Sequence, residues 1–205
     1  MGYQRIHPTT MLAPLPCVLV SCGAPGEKPN VMTVAWTGIV NTKPPMLSVS
    51  IKPERYSHDL ILKSQEFCVH PADAEHVRML DFCGVKSGRD LDKFAAMRMG
   101  TEPSGLQYAP AISGMPLCLP CRLKNVISLG SHDLFLGEIC GVLVRDDLLD
   151  PDGSIHLERS SLVSYSHGLY QEVEQVLGFF GFSVAREEIL HKRMRQFRRD
   201  DRTHG

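Results

Sequence analysis

The chain has no long apolar run. None of its 205 residues falls in a stretch that reaches the roughly 18 apolar residues a spanning helix needs. The opening M-G-Y-Q-R-I-H-P-T-T has no apolar core of the kind a secretory signal carries. Both absences lead to the expectation of a cytoplasmic protein with no membrane partner. Charge of one sign is also missing: 22 Lys and Arg stand against 23 Asp and Glu, a net of −1, which removes any bulk electrostatic case for nucleic acid. No G-x-G-x-x-G follows a strand-like run, so no built-in Rossmann site is expected. G-x-x-x-x-G-K-[ST] is absent, which excludes a Walker loop. Cys118-Leu119-Pro120-Cys121 has no second C-x-x-C and no H-x-x-x-H to complete four metal ligands, and the nine histidines are dispersed. Cysteine is present but odd in number, seven in all, mostly in apolar contexts such as Phe67-Cys68-Val69. That pattern reads as reduced, buried thiols.

The stretch from Pro29 to Leu60 organises the rest and holds the only tryptophan, Trp36. Two strand-like runs, Val31–Val40 and Met46–Ile51, flank a break at Lys43-Pro44-Pro45. Pro53 excludes a helix from 52–57. Ser57 is then a candidate N-cap for a helix over His58–Lys63. Strand, polar loop and helix start together gather donors where an anion can sit.

On either side, Cys17–Cys22 reads as a first strand in a hairpin with Val31–Val40, and Glu66–His70 as a further strand. Pro71–Cys83 is a helix capped by Asp73 and stopped at Gly84, and Lys93–Met97 a short helix. Leu117–Leu129 and Asp133–Val144 are long strands around the turn Gly130-Ser131-His132. Leu157–Tyr170 is mixed, and Phe179–Val184 is a candidate last strand. Strands follow strands, with helices inserted once, so the fold class is mainly β: an antiparallel barrel with inserted helices, not a doubly wound parallel sheet. Residues 1–185 are expected to form one domain. Residues 186–205 carry seven Lys and Arg against four acids and form a basic tail, with Ile189, Leu190, Met194 and Phe197 as an apolar stripe.

Two loops carry anion-binding chemistry. In 52–57, Arg55 offers a bidentate fork and Ser57 a hydroxyl. In 84–93, Ser87, Gly88, Arg89 and Lys93 place donors and cations in a glycine-containing loop, with Asp90 and Asp92 diluting the charge. Each alone is also an ordinary loop; together they point to a phosphorylated ligand. Ser131-His132-Asp133 are contiguous turn residues and cannot be a catalytic triad, though His132 can face a pocket or water.

N-V-M-T-V-A-W at 30–36, P-P-M-L-S-V-S-I-K-P-E-R-Y-S-H at 44–58, C-G-V-K-S-G-R-D-L-D-K-F at 83–94 and L-G-S-H-D-L-F-L-G-E-I at 129–139 stand in the order and spacing of the flavin reductase-like family. The chain resembles its flavoredoxin and NAD(P)H:FMN oxidoreductase-like members from about Pro14 to Val184. The resemblance implies an FMN-binding split barrel, six- to seven-stranded and of Greek-key type, in a homodimer with FMN near the subunit interface. It implies that Thr33, Val34, Ala35 and Trp36 lie along the flavin ring. Ser48, Ser50, Arg55, Tyr56 and Ser57 would hold ribityl and phosphate. Ser87, Gly88 and Lys93 would add phosphate or ring contacts, and His132 would approach the flavin. No residue is singled out as catalytic. The expected activity is hydride transfer from NADH or NADPH to FMN. The alternatives are a flavoredoxin-type carrier served by a protein redox partner, a flavin-binding barrel without turnover, and a thiol or metal protein built on the cysteines. The Cys118/Cys121 pair, the basic tail and His70-Pro71, where the family more usually has asparagine, are left unexplained.

Overall fold

The structure, a computed structural model, describes residues 1–200, with side chains described as far as Arg195. Its centre is one antiparallel sheet. In chain order the strands are β1 Val18–Cys22, β2 Asn30–Val34, β3 Thr37–Thr42, β4 Pro45–Ile51, β5 Glu66–Pro71, β6 Leu117–Ser128 and β7 Asp133–Ile139. In space they run β2-β1-β5-β6-β7-β4-β3, and Leu143–Val144 adds a short rung on β6. The outer strands of this seven-strand path, β2 and β3, are separated in the chain only by Ala35 and Trp36. Laid flat, the path would put them roughly 29 Å apart. The link spans at most about 11 Å, so the sheet must curl until its edges nearly meet.

Patterning explains the layers. Every residue of β1 is buried because both of its faces are covered. Val18, Val20 and Cys22 face the barrel interior with Val49, Ile51, Phe67 and Phe135, while Leu19 faces a second cluster with Leu80, Cys83 and Ile112. Helix α1, Tyr56–Ser64, inserts Leu60 and Ile61 into the interior cluster. Helix α2, Val77–Val85, packs Leu80 and Cys83 on the outside of β1 and β2. Helix α3, Lys93–Ala96, follows, with the Asp92 carboxylate accepting from the Ala95 N–H at 3.0 Å.

Several sequence expectations are corrected. Val31–Val40 is two strands, not one, because the chain crosses between the sheet edges at Ala35-Trp36. Ser57 lies inside α1, not at its cap, and α1 begins without a side-chain cap. Asp73 does not cap a helix through its side chain. Its carboxylate pairs instead with Arg145 at 2.9 Å and with His76, and the helix runs past Gly84 to Val85. Asp133–Val144 breaks after Ile139. Phe179–Val184 is a turn of 3₁₀ helix at Phe182–Val184: Gly181 sits at φ 84°, which ends any extended run before it can pair. The region 157–170 holds the start of an antiparallel hairpin, β8 Val163–Ser166 and β9 Leu169–Glu172, that composition did not reveal. The tail is helical as α4, Glu187–Asp200, and the Phe197 end of its expected apolar stripe lies outside the described side chains.

His70 is fully buried on β5. The Ile112 N–H donates to its Nε2 at 3.1 Å, so Nδ1 carries the proton and donates to the Leu19 carbonyl at 3.3 Å. Burial pushes its pKa down to about 4. Between an unfolded value near 6.5 and about 4, the unfolded chain therefore binds a proton that the folded chain does not. Stability present at neutral pH is lost as pH falls through that window, by about 3 kcal/mol. Urea unfolding at pH 7 and pH 4 is expected to show this loss, and His70→Asn to make the acid limb shallower; an unchanged limb would refute the assignment.

Candidate functional site

The cleft forms where the curled sheet fails to close. The Trp36 carbonyl accepts from the Ser50 N–H at 2.9 Å, holding the crossover against β4. After β4 the chain turns through 52–55 into α1, whose first N–H groups, those of Tyr56 and Ser57, have no intrahelical acceptor. The loop 86–92 between α2 and α3 lies opposite.

Two adjoining cavities result. The first, of about 360 Å³, is lined among others by Asn30, Thr33, Arg55, Ser57, Ser87, Gly88 and Lys93. Its ionisable side chains include Arg55, Lys86 and Lys93 against the single acid Glu54, so it favours an anion. The second, of about 170 Å³, shares Met32, Thr33 and Arg55 with it and extends along Val34, Ala35 and Trp36 to Ser50, Lys52 and His132. The Trp36 and His132 rings lie 4.7 Å apart at its border, with Trp36 42% exposed.

Several of the polar groups have a definite support. Asn30, buried at the start of β2, donates to the Ser57 hydroxyl at 2.8 Å and so fixes the α1 start against the sheet. Its amide also abuts Gly88, where a Cβ would collide with it. Lys93 is buried, and its ammonium donates at 2.8 Å to both the Val31 and the Cys83 carbonyls, leaving one donor for the cavity. Burial draws its pKa below the usual lysine range. Ser87 accepts from the Arg89 N–H at 3.2 Å, which shapes the loop. Tyr56 donates to Glu27 at 3.1 Å and lies under the Arg89 guanidinium, 5.2 Å from the ring centre. His58 Nε2 bonds Asp133 at 2.8 Å, tying α1 to β7 beside the turn that carries His132 and holding the Asp133 carboxyl below the usual range.

Of the residues singled out from sequence, Thr33, Val34, Ala35, Trp36, Ser50, Arg55, Tyr56, Ser57, Ser87, Gly88, Lys93 and His132 line this pair of cavities. Ser48 lines neither; it lies two residues before Ser50 on β4, with its hydroxyl toward the Gly38 carbonyl. Asn30 and Lys86 were missed. An asparagine opening an apolar strand is the signal that could have found the first; Lys86 carries no such signal. Cys118 and Cys121 fall in different clusters, on opposite faces of β6, so they do not form a dithiol.

An antiparallel sheet curled to a split barrel, with a cationic cleft at the split, defines the class of flavin reductase-like split-barrel proteins. The chain belongs to that family: the model for the flavin reductase like domain matches residues 11–173. An uncharacterized protein of Archaeoglobus fulgidus is 33% identical over 150 residues, covering 73% of this chain and 84% of that one. The FMN reductase (NADH) RutF of Yersinia enterocolitica is 26% identical over 129 residues, covering 63% of this chain and 68% of that one. Among solved structures, flavoredoxin of Desulfovibrio vulgaris (Miyazaki F) superposes with a TM-score of 0.83 at 26% identity, over 90% of this chain and 100% of that one. No helix among the described residues is long and apolar enough to cross a membrane.

Gly88→Ala is expected to push the Asn30 amide off Ser57 and to destabilise the fold by about 1–3 kcal/mol, measured by urea unfolding. A variant as stable as the parent would mean that the loop yields and the contact does not matter.

Proposed function

We propose that the chain is an FMN-binding oxidoreductase in which the larger cavity takes the phosphate and the smaller one the isoalloxazine edge. The carrying observation is the continuity of a cationic cavity at the start of α1 with one bordered by Trp36 and His132. The donor set fits the group: Arg55 supplies a charge-assisted fork, Ser57, Ser87 and the α1 N–H groups supply neutral donors, and Gly88 keeps the wall free of a side chain. Thr33 to Trp36 would run along the ring, in a cavity that Ser50 and Lys52 also line. FMN, when bound, supplies the hydride-accepting chemistry; the residues of this chain bind it, orient it and leave one edge open.

NADH or NADPH is the proposed donor, with NADH supported by the NADH-specific name of the RutF relative. The similarity to flavoredoxin and the exposure of Trp36 support a second reading, a carrier with tightly held FMN that exchanges electrons with a protein partner. We also propose a homodimer: Ile39 and Val40 on β3, the strand that follows Trp36, and Leu129 next to the turn that carries His132 are exposed, and a second copy would cover them. Residues 1–185 would form the flavin domain and 186–205 an appended basic segment, in the cytoplasm.

The test is the visible spectrum of the protein with added FMN, before and after anaerobic NADH or NADPH. Prompt bleaching of bound flavin is expected; bound flavin that stays oxidised would favour the carrier, and no bound flavin would overturn the proposal. Arg55→Ala is expected to raise the FMN Kd about tenfold or more, from the loss of a charge-assisted contact.

A further inference from the structure

His58 lines neither of the two cavities, yet it connects their walls. It follows Tyr56 and Ser57 in the first turn of α1, where the cationic cavity lies. Its imidazole is buried, and the Phe135 ring, 5.1 Å away and at 85° to it, fixes its plane. Nε2 bonds the Asp133 carboxylate at 2.8 Å. A carboxylate only accepts, so Nε2 carries a proton. Nδ1 has no hydrogen-bond partner among the described residues and sits 3.8 Å from the Asp59 carboxylate. Asp59 is in turn held by Arg89 at 2.8 Å, in the loop that forms the opposite wall.

Asp133 stands at the base of the turn that carries His132. It pairs with Ser128 across the hairpin and with Ile51 on β4. The Leu129 N–H donates to the His132 carbonyl at 2.9 Å and closes the turn. Residues 127–131 are exposed, so packing does little to hold this tip. A charge-assisted bond from its base to a buried imidazole does hold it. The cavity bordered by His132 and Trp36 therefore takes its width in part from the position of α1, passed on through His58 and Asp133.

We propose that His58 is a positioning residue for the ring half of the bound flavin: through Asp133 it holds the His132 turn at the distance from α1 that the ring requires. The inference rests on the reading of the two cavities as a flavin site. It adds a residue that lies behind the cavity lining, and it assigns that residue to the ring and not to the phosphate. A site is only as precise as the groups that support its lining.

Titration of the flavin-free full chain with FMN and with riboflavin, which has the ring and no phosphate, tests it. His58→Leu is expected to weaken both about fivefold or more and by the same factor, the scale of coupling between side chains in contact. It is also expected to shift the visible spectrum of bound FMN at saturation, which reports the surroundings of the ring. His58→Gln can return an N–H to Asp133, and is expected to restore the spectrum and bring both affinities to within about twofold of the parent. Asp133→Asn keeps an acceptor and loses the charge; it is expected to weaken both flavins about two- to threefold, and it decides the matter if His58→Leu does not fold. Loss of FMN affinity alone would route the effect through Asp59 and Arg89 to the phosphate and overturn the ring assignment. An unshifted spectrum in His58→Leu would overturn it too, and decides alone if riboflavin binds too weakly to measure. A loss that His58→Gln does not repair would make the residue packing for Phe135 and nothing more. In each of these cases the flavin site itself stands; failure of the parent to bind FMN would overturn both readings.

Discussion

The structure depends on a two-residue connection. β2 and β3 are opposite edges of one sheet, yet only Ala35 and Trp36 lie between them. Seven strands cannot lie flat under that constraint, so the sheet curls, its interior fills with Phe67, Phe135 and their aliphatic neighbours, and the seam stays open where the chain crosses. The crossover is then unable to pair as a regular strand, and its backbone and the Trp36 ring face the opening. The feature that makes the fold curl therefore also makes the cleft.

The polarity of the cleft follows from what ends at the seam. α1 starts there, with its first N–H groups free, and Asn30 fixes that start through Ser57. The loop after α2 approaches closely because Gly88 has no side chain to collide with Asn30. Lys93 is held by two main-chain carbonyls, so its position is set by the fold and not by a charged partner. Family membership accounts for the fold and for flavin as the cofactor class.

Much of this was legible in the amino-acid order. Hairpin spacing gave the antiparallel class, and Pro53 with Arg55 and Ser57 marked the loop before a helix. Four ordered motifs carried the family likeness. What was misread has a common cause. Ser57 looked like a cap because helix boundaries shift by a residue or two with tertiary packing, and here Asn30, remote in sequence, claims its hydroxyl. Ser48 rested on the family likeness alone; strand alternation puts it on one face with Ser50, and only Ser50 lines the cavity.

The sequence by itself determined the local conformations and the chemical inventory: which runs extend, where proline and glycine forbid continuation, and which side chains can bind an anion. These are properties of short stretches, fixed by dihedral preference and periodicity. The tertiary structure decided which donors converge, that Cys118 and Cys121 part to opposite faces of β6, and that Asn30, Gly88 and Lys93 share one wall. Those depend on strand order and on the curl of the sheet, which arise from closing contacts between residues far apart in the chain and are not encoded in any one stretch.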